Sequence, residues 1–470
     1  MPSARATAGG LLLKILDTAD PRLAAEQIAD DIAALEYVVE SVRLPDLHLK
    51  DGMEAPSSLV VATRNAIVPH LVSESINDGM GLISTGFDAD DVSPEQLEAI
   101  LRFVNRAGAT SKAASTSYSW TRELLEAACR VGAEPLLEHY GLDPKFLNSI
   151  EDRGRATDEP LSYSEFASAV PRLLRNTRLT RGEIGLNFGG NHFLEIQRVD
   201  RIVDESEAER MRVRPGELVV MYHLGPGPLG SILSNLYAYR SKPQLHRKVG
   251  YALFRNLLHV AKGLHFHRTF ARLNDWLAID ADSDQGRALS SVLRVIKNYG
   301  FAYRMATIAG IADALQDTLG IGQSSLGLVV DMSHNMLQPE TIAGDDYWVS
   351  RHNCCRPVTG MPGIVAGNHQ VASCLTVGPQ GCDDKLGGYD HGVGFLIERA
   401  QQTGSIDPDP RGLDVRRLRM TRGTDELHQR EVLPLLSSGV IEQAVASLEG
   451  MGFARPVAYL RPLATLKHKT

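Results

Sequence analysis

Residues 189–196 read Gly-Gly-Asn-His-Phe-Leu-Glu-Ile, a glycine turn that leads through His192 into an apolar, β-prone stretch. The same arrangement, a histidine where an apolar stretch meets a turn, recurs at His223, His334 and His391. A strand that ends in an imidazole beside glycine delivers a nitrogen ligand or a nucleophile to a pocket lined by backbone. One such histidine is more often a structural residue with satisfied hydrogen bonds, whereas four favour a shared metal or phosphate site.

Short apolar strands alternate with helical stretches along the chain, which predicts the mixed α/β class. Apolar residues at helical spacing predict one amphipathic helix over residues 21–42. Ser93-Pro94-Glu95-Gln96 is typical of a helix start, because serine caps the first turn and proline fits its first position. Further helices are expected at about 88–181, 244–273 and 430–450, and strands at 44–87, 185–233, 325–395 and 458–463. The candidate site segments extend from residue 46 to residue 467, so we expect one site built from distant parts of the chain.

The net charge limits how this protein could bind a polyanion. Its 49 Lys and Arg residues face 57 Asp and Glu residues, which gives a net charge of −8. Such a chain does not coat nucleic acid over its whole surface, so any polyanion must enter a local basic groove. Three clusters of basic residues are candidates, although each is more often a solvated face: Arg172, Arg175, Arg178 and Arg181; Arg240, Lys242, Arg247 and Lys248; Arg416, Arg417, Arg419 and Arg422.

The cysteine pattern favours a reducing compartment. There are five cysteines without paired spacings, which argues against a disulfide framework and a zinc ribbon. The first residues lack the apolar core of a signal peptide, and no stretch approaches the roughly 18 apolar residues of a membrane span. We therefore expect a cytoplasmic protein.

Each local motif has an ordinary alternative. Residues 221–230 indicate a strand, a glycine turn and a helix start that could bind phosphate, but they fit neither a Walker A loop nor a dinucleotide fingerprint. For Asp331 and His334, metal ligation and a structural hydrogen bond remain equally open. A neutral imidazole at His391 could attack phosphorus, because glycine follows it. Asp78 presents a carboxylate at a tight turn, and a plain Asp-Gly turn is the alternative.

Taken in order, these segments resemble the RtcB family of RNA ligases. The resemblance covers about residues 40–470. Six segments carry it: the opening block from Pro45-Asp46-Leu47-His48 to Ile76-Asn77-Asp78-Gly79-Met80, residues 189–196, His223 with its glycine loop, His334-Asn335, residues 378–399 around His391, and Leu460-Arg461-Pro462-Leu463 with Lys467.

The resemblance implies an α/β fold in which a mixed sheet with surrounding helices forms a central cleft for metal and nucleotide. A helical lead-in at 1–43 would precede a catalytic domain at 44–470, whose segment at about 88–181 is mostly helical. The implied activity is GTP-dependent and Mn²⁺-dependent RNA ligation in tRNA splicing or RNA repair. It joins 2′,3′-cyclic phosphate or 3′-phosphate ends to 5′-hydroxyl ends of RNA.

Specific roles follow from the resemblance for ten residues. His391 would be guanylylated and would pass GMP to the RNA 3′-phosphate. The metal, one or two Mn²⁺ ions with Mg²⁺ as an alternative, would be held by Asp78, His192, His223 and His334. The nucleotide would be bound by Asn191, Glu195, Gly392, Gly394 and Lys467.

Several positions depart from the family pattern. Asp78 replaces a metal-bridging cysteine, which favours Mn²⁺ or Mg²⁺ over Zn²⁺, and Ser75 replaces an aspartate, which weakens a second metal position. Gly227 and Phe395 stand where the family has arginines. Residues 366–370 replace its phosphate-contacting Pro-Gly-Ser-Met-Gly. Each lost arginine removes charge-assisted contacts to phosphate.

These departures leave two alternatives to RNA ligation. The first is a metal-dependent phosphatase or a nucleotidyltransferase with another acceptor, which predicts metal binding without sealing of RNA ends. The second is a non-catalytic RNA-binding protein, which predicts RNA binding that needs neither metal nor His391.

Overall fold

Helices and strands alternate along the chain, as the sequence predicts. The structure, a computed structural model, describes residues 20–50, 53–73, 75–107, 118–176, 188–237 and 278–469. In these ranges the α-helices are α1 (Pro21–Ala33), α2 (Pro94–Ala107), α3 (Arg122–Val131), α4 (Glu134–Tyr140), α5 (Tyr163–Ala169), α6 (Arg172–Asn176), α7 (Glu205–Arg210), α8 (Gly227–Tyr237), α9 (Asp284–Leu319), α10 (Gly394–Thr403) and α11 (Gly439–Gly450).

Most strands are short. They are β1 (Val38–His48), β2 (Ser57–Thr63), β3 (Ala66–Ile67), β4 (Gly79–Asp88), β5 (Phe193–Ile202), β6 (Glu217–Leu224), β7 (Ile279–Asp280), β8 (Gly327–Ser333), β9 (Asn335–Ile342), β10 (Asp345–His352), β11 (Cys354–Cys355), β12 (Pro362–Val365), β13 (Ser373–Val377), β14 (Tyr389–Asp390), β15 (Asp414–Met420), β16 (Leu427–Pro434) and β17 (Arg455–His468). Every residue of β6 is buried, as is every residue of β2. This burial explains why both strands read as continuous apolar runs rather than alternating ones.

Within the described ranges, nine strands form the larger sheet. Seven of them are antiparallel neighbours in the order β12-β13-β17-β5-β6-β4-β8, while β15 pairs in parallel with β17 and β16 pairs with β15. Gly79, at the start of β4, pairs with Leu224 at the end of β6 and with Ser333 at the end of β8. Because β4 runs opposite to both neighbours, its first residue lies beside the last residues of two strands that end near histidines.

A second sheet has the order β1-β2-β10-β9 among the described strands. α1 packs on β1, where Ile28 and Ile32 join a core cluster with Leu47 and Val61. The short β11 pairs with β14 and brings Cys354 opposite Asp390. This pairing places the loop after β14 next to the end of β10.

The longest described helix, α9, supports the start of β4. Its N-terminal cap is Ser283, whose Oγ accepts a hydrogen bond from the Gly286 N–H at 3.0 Å. The helix has 36 residues, so it is about 54 Å long. Its middle third is buried against α8, α2, α3, α4 and α5. One buried residue is Arg304, which contacts the turn before β4.

Two helix starts agree with the sequence and one helix end does not. Ser93 caps α2 as expected, because its Oγ accepts from the Gln96 N–H while the Gln96 side chain accepts from the Ser93 N–H. α8 likewise begins after the glycine turn that follows β6. The helix expected over 21–42 is wrong beyond Ala33, since Val38 begins β1. The β-branched valines of this segment pair with β2 instead of continuing the helix.

The α/β mixed-sheet fold expected from the sequence is confirmed. The expected helix at 244–273 lies outside the described residues, as do Arg178, Arg181, Arg240, Lys242, Arg247 and Lys248. All five cysteines are buried free thiols. Among the helices described, none is both long and apolar enough to cross a membrane.

Candidate metal and nucleotide site

His223 and His334 meet beside the start of β4. Their Nε2 atoms are 2.8 Å apart, and both side chains are buried. Burial holds the pKa of each imidazole well below its usual value, and neighbouring histidines lower it further. Both rings are therefore neutral at physiological pH, which is the protonation state that binds metal ions.

His391 joins this pair from the loop after β14. Its ring stacks on His334 with a centroid distance of 4.2 Å, and one nitrogen from each of His223, His334 and His391 lies within 4.8 Å of the others. Nδ1 of His391 lies 2.7 Å from the carbonyl oxygen of Asn353. A carbonyl can only accept, so Nδ1 carries the hydrogen and Nε2 keeps its lone pair. Burial lowers the pKa of His391 to about 3, so this imidazole is neutral.

Asp78 and His192 form the other side of the cluster. The Asp78 Oδ2 atom is 3.6 Å from His192 Nε2, which is too long for a hydrogen bond, and the rings of His192 and His223 are 5.3 Å apart. Asp78 Oδ1 and His192 Nε2 are buried and have no hydrogen-bond partner among the described residues. A Cβ atom at Gly225 would lie 2.9 Å from His192 Cε1 and 3.3 Å from Asp78 Oδ1. Glycine is thus required for these two side chains to approach.

Backbone hydrogen bonds connect Asp78 to His334. The His334 N–H donates to the Asp78 carbonyl at 2.9 Å, and the Asn77 N–H donates to the Asn335 carbonyl at 2.7 Å. Asn77 has a φ of +66°, a left-handed conformation that asparagine tolerates better than most residues. The Asn77 amide donates to the carbonyl of Lys297 in α9. The turn that presents Asp78 is therefore held from both sides.

A buried ion pair lies behind this turn. Arg304 Nε is 2.9 Å from both carboxylate oxygens of Asp331, and Arg304 Nη1 donates to the Asn77 carbonyl at 3.0 Å. The Tyr222 hydroxyl donates to Asp331 at 2.6 Å. Of the two readings left open for Asp331, the structural hydrogen bond is the one observed. Truncating one member of such a buried pair leaves an uncompensated charge, which is strongly destabilising.

A polar row continues from the cluster across β5, β17 and β15. Glu195 pairs with Thr465, and Thr465 pairs with Arg417. The Thr465 hydroxyl and the Gln197 amide each donate to Glu195 at 2.7 Å. Burial raises the pKa of Glu195 to about 7, against the effect of these hydrogen bonds and of Lys467. Alternate residues of a strand share a face, so Lys467 lies on the same side as Thr465.

Arg419 stands opposite Lys467 in this row. Its Nε atom is buried without a hydrogen-bond partner in the described part of the chain, whereas Arg417 bonds to both Glu431 and His369. The pKa of Lys467 is lowered by burial, while Glu195 opposes this effect. The third basic cluster of the sequence is thus partly a solvated strand face and partly an extension of the site.

The expected site residues fall into three groups. Asp78, His192, His223, His334 and His391 lie together. Glu195 and Lys467 lie on the neighbouring strands. Gly392 forms a β-bridge with Ala366, and a Cβ added to Gly392 would lie 3.1 Å from the Ala366 carbonyl oxygen. Asn191 is exposed at the preceding turn, and Gly394 begins α10 with open space around it.

Sequence reasoning missed Lys50, which follows β1. Its charge acts on His223, His334 and His391, while Asp46, Glu398 and Asp78 attract it. Burial lowers the pKa of Lys50, against the effect of these carboxylates. Its position two residues after the Asp46-Leu47-His48 motif is the sequence feature from which Lys50 could have been predicted as a site residue. Arg304 was also missed, because nothing in a helical sequence reveals which strand turn its side chain will reach.

The positions that depart from the family pattern have specific local roles. Gly227 has a φ of +71°, and an added Cβ would lie 2.6 Å from the Tyr303 ring, so a larger residue would not fit. The Asn368 carboxamide accepts from the Gln370 and Val371 N–H groups within its own turn. Phe395 stacks on His48 with a centroid distance of 4.6 Å. Neither side chain offers a cation to phosphate.

The donor set fits a divalent cation. The buried neutral imidazoles of His223 and His334 lie beside the buried Asp78 carboxylate and the half-buried rings of His192 and His391. Asp78 Oδ1, His192 Nε2 and His334 Nδ1 lack hydrogen-bond partners among the described residues. Imidazole suits many transition metals, while carboxylate favours harder ions such as Mn²⁺ and Mg²⁺. The Glu195 carboxyl group and the Lys467 amino group, on neighbouring strands, extend the site toward a position where a second ligand could bind.

Comparisons with known proteins place the chain in one family. The sequence model of a family described as "tRNA-splicing ligase RtcB" matches residues 27–468. The chain is 26% identical over 464 residues to the RNA-splicing ligase RtcB of Mycobacterium tuberculosis, covering 93% of this chain and 99% of that protein.

Two further proteins are also similar. The chain is 23% identical over 479 residues to the tRNA-splicing ligase RtcB of Thermococcus kodakarensis, covering 93% of this chain and 90% of that protein. It is 25% identical over 434 residues to the tRNA-splicing ligase RtcB of Methanopyrus kandleri, of which it spans only 41%.

Proposed function

The chain belongs to the RtcB family, and from that premise we propose that it is a GTP-dependent and Mn²⁺-dependent RNA ligase. It joins 2′,3′-cyclic phosphate or 3′-phosphate ends of RNA to 5′-hydroxyl ends through a histidine–GMP intermediate on His391. The family supports RNA ligation in general, and tRNA splicing or RNA repair is the process we propose. The reducing cytoplasm is the proposed compartment, which is supported by five cysteines that are all free.

The surroundings of His391 are the observation that carries the proposal. A nucleophilic imidazole must be neutral and must direct one lone pair at phosphorus. The bond between His391 Nδ1 and the Asn353 carbonyl leaves Nε2 with that lone pair, and burial keeps the ring neutral. Asn353 itself has a left-handed φ of +54°, which turns its carbonyl toward the loop after β14.

The metal would be held by Asp78, His192, His223 and His334. When bound, a divalent ion neutralises phosphate charge and orients the phosphate for in-line attack. The protein's own contribution is to keep the imidazoles of His223 and His334 neutral and to fix Asp78 through Asn77 and Arg304. Asp78 in place of a thiolate supports Mn²⁺ or Mg²⁺ as the ion.

The nucleotide would lie between His391 and the row formed by Glu195 and Lys467. A carboxylate can accept hydrogen bonds from the amino edge of guanine, and a lysine can donate to its carbonyl oxygen. Gly394 has open space around it and leaves the backbone after the nucleophile accessible, whereas buried Gly392 lets the nucleophile loop pack against Ala366. Asn191 is exposed at the turn before His192. These five residues are the proposed nucleotide contacts.

The proposed reaction has three transfers. Nε2 of His391 attacks the α-phosphorus of GTP, an N–P bond forms, and pyrophosphate leaves with the electrons of the broken P–O bond. An oxygen of the RNA 3′-phosphate then attacks the same phosphorus and releases neutral His391. Finally the 5′-hydroxyl oxygen attacks the activated 3′-phosphorus, GMP leaves, and the hydroxyl proton passes to solvent. A 2′,3′-cyclic phosphate is first opened by water.

Two side-chain contacts favour a second candidate, a nucleotidyltransferase with a different acceptor. Asn368 uses its side chain within its own turn, and Phe395 stacks on His48. These positions therefore supply no charged contact to an RNA phosphate. Such an enzyme would form the same adduct on His391 but would not seal RNA ends.

Incubation with α-labelled GTP and Mn²⁺ tests the first transfer. We expect acid-labile GMP on the wild-type chain and none on His391→Ala. The control His428→Ala, which removes an exposed imidazole bonded to Thr421, should retain the adduct. No adduct on the wild-type protein, or an equal adduct on His391→Ala, would remove the mechanism.

A second assay separates the two candidate functions. RNA with a 2′,3′-cyclic phosphate and a 5′-hydroxyl is incubated with GTP and Mn²⁺, and joined product is measured on a gel. Ligation by the wild-type protein supports the RNA ligase. An adduct without joined product supports the transferase with another acceptor.

A further inference from the structure

A cavity of about 420 Å³ opens between the first half of α9, residues 152–158 and the β9–β10 hairpin. This volume lies within the range of pockets that bind small molecules, roughly 300–1,000 Å³. None of its lining residues belongs to the histidine cluster described above. We call it the α9 cavity.

The floor of the α9 cavity is electrostatically satisfied. Lys297 Nζ lies 2.5 Å from Asp152 Oδ2 and 2.6 Å from Gln338 Oε1. Arg356 also bonds to Asp152 and lies 3.4 Å from Glu151. These charges balance one another, so the floor needs no ligand.

The rim, by contrast, carries weakly compensated positive charge. Arg153 is exposed and makes no ion pair with any residue that the structure describes. Arg155 pairs at 3.3 Å with Asp158, whose side chain is 98% exposed. Arg294 pairs with Glu165, yet its buried Nε has no hydrogen-bond partner within the described ranges. Exposed ion pairs contribute little to stability, so a phosphate could replace these carboxylates at low cost.

One wall of the cavity is apolar. It is formed by Leu293, Met336, Pro339 and Trp348. Trp348 is half-buried in β10, where it pairs with Pro339 on one side and Thr63 on the other. Both pairings fix the backbone of Trp348 and therefore the position of its indole ring. A half-exposed indole beside arginines is the combination on which nucleic-acid bases stack while their phosphates are bound.

We propose that the α9 cavity binds a nucleoside phosphate, with its base on Trp348 and its phosphate among Arg153, Arg155 and Arg294. On a chain with a net charge of −8, this is a local basic concavity of the kind that a polyanion requires. The unit can come from an RNA strand or from a free nucleotide. The RNA source rests on the proposed function.

The cavity and the histidine cluster share supports. Glu151, next to Asp152, accepts hydrogen bonds from the Ser333 N–H at 2.9 Å and from its hydroxyl at 2.7 Å, and Ser333 precedes His334. The carbonyl of Lys297 accepts from Asn77, which precedes Asp78. Hydrogen bonds therefore connect the cavity to the segments that carry two of the proposed metal ligands, His334 and Asp78.

Fluorescence anisotropy of a labelled single-stranded RNA with a 3′-hydroxyl end, which cannot be ligated, tests the proposal without GTP or metal. The variants are Arg153→Ala/Arg155→Ala and Trp348→Leu. Arg106→Ala is the control, because it removes an exposed arginine that is paired with Asp425 away from the cavity. Free GMP serves as the second probe, measured by calorimetry.

The expected result differs between the two variants. Loss of both arginines should weaken RNA binding and reduce the slope of log affinity against log salt by about 0.7, the value for the one phosphate contact that they share in a single strand. Trp348→Leu should weaken binding between about fivefold and 150-fold with an unchanged slope, because stacking contributes about 1–3 kcal/mol per base. Binding of RNA but not GMP identifies a strand site, and equal dependence of GMP binding on these residues identifies a free-nucleotide site.

Affinities for both probes that match the wild-type values in both variants would overturn the proposal. The labelled-GTP assay distinguishes this failure from failure of the proposed function. An adduct on His391 together with unchanged RNA binding rejects the cavity alone. A missing adduct together with weakened RNA binding supports the cavity and rejects the ligase mechanism.

Discussion

The carboxylate at position 78 sets the character of the histidine cluster. Asp78 is buried, one of its oxygens has no hydrogen-bond partner among the described residues, and its Oδ2 atom lies 3.6 Å from His192 Nε2. Burial raises the pKa of this carboxyl, while His192 and Arg304 oppose the effect. A buried carboxylate in this state gains most from a cation, because the ion compensates the lost hydration.

Replacing Asp78 by cysteine should change the preferred metal. A thiolate is a softer ligand than a carboxylate, so Asp78→Cys should raise the affinity for Zn²⁺ relative to Mn²⁺ by at least about tenfold. Asp78→Asn, which keeps the shape but removes the charge, should weaken binding of both ions. Calorimetric titration with each ion measures the ratio. An unchanged ratio in Asp78→Cys would mean that Asp78 is not a ligand.

Glu195 should make the stability of the metal-free protein depend on pH. Its folded pKa of about 7 lies above the ordinary value of 4.5, so between these values the folded protein holds a proton that the unfolded chain has released. The free energy of unfolding of the wild-type protein therefore falls by about 3 kcal/mol as pH rises through this window. Glu195→Gln has no proton to release at this position, so its free energy of unfolding should not show this fall. Urea unfolding of both proteins at pH 4 to 8 measures the difference. A difference that stays constant with pH would show that Glu195 titrates normally.

Among the secondary-structure elements, α9 and the strand ends contribute most to the site. The sequence predicted the strand, glycine turn and helix start at β6 and α8, and the serine cap of α2, because these signals are local. It could not predict that β4 lies between β6 and β8, because strand pairing depends on contacts between distant residues. It also extended α1 into β1, since Val38 and Val42 fit both an apolar helix stripe and a strand.

Gly300 in α9 should be indispensable for the turn before β4. A Cβ at this position would lie 3.0 Å from Asn77 Cγ and still closer to its Nδ2, so the Asn77 side chain would have to move. Gly300→Ala should therefore cost about 1–3 kcal/mol of stability and weaken Mn²⁺ binding. Thermal unfolding and metal titration measure both effects. Gly450→Ala in α11, with open space around it, is the control and should be neutral or stabilising by up to about 1 kcal/mol. Equal behaviour of the two variants would argue against the contact.

At the scale of the whole molecule, the site is made from segments that lie more than 300 residues apart in the sequence. The sequence indicated that His192, His223, His334 and His391 each follow or precede a turn, and the resemblance implied that they share a site. Periodicity alone could not show that His334 and His391 stack or that Asn353 orients the His391 ring. These contacts arise because β11 pairs with β14 and because β4 is flanked by β6 and β8.

Anomalous diffraction from crystals grown with Mn²⁺ tests most directly whether these distant segments together bind a metal. We predict a manganese peak within bonding distance of the Asp78 carboxylate and of the imidazoles of His192, His223 and His334, with His391 Nε2 left free for GTP. A peak at another place, or none at saturating Mn²⁺, would contradict the account.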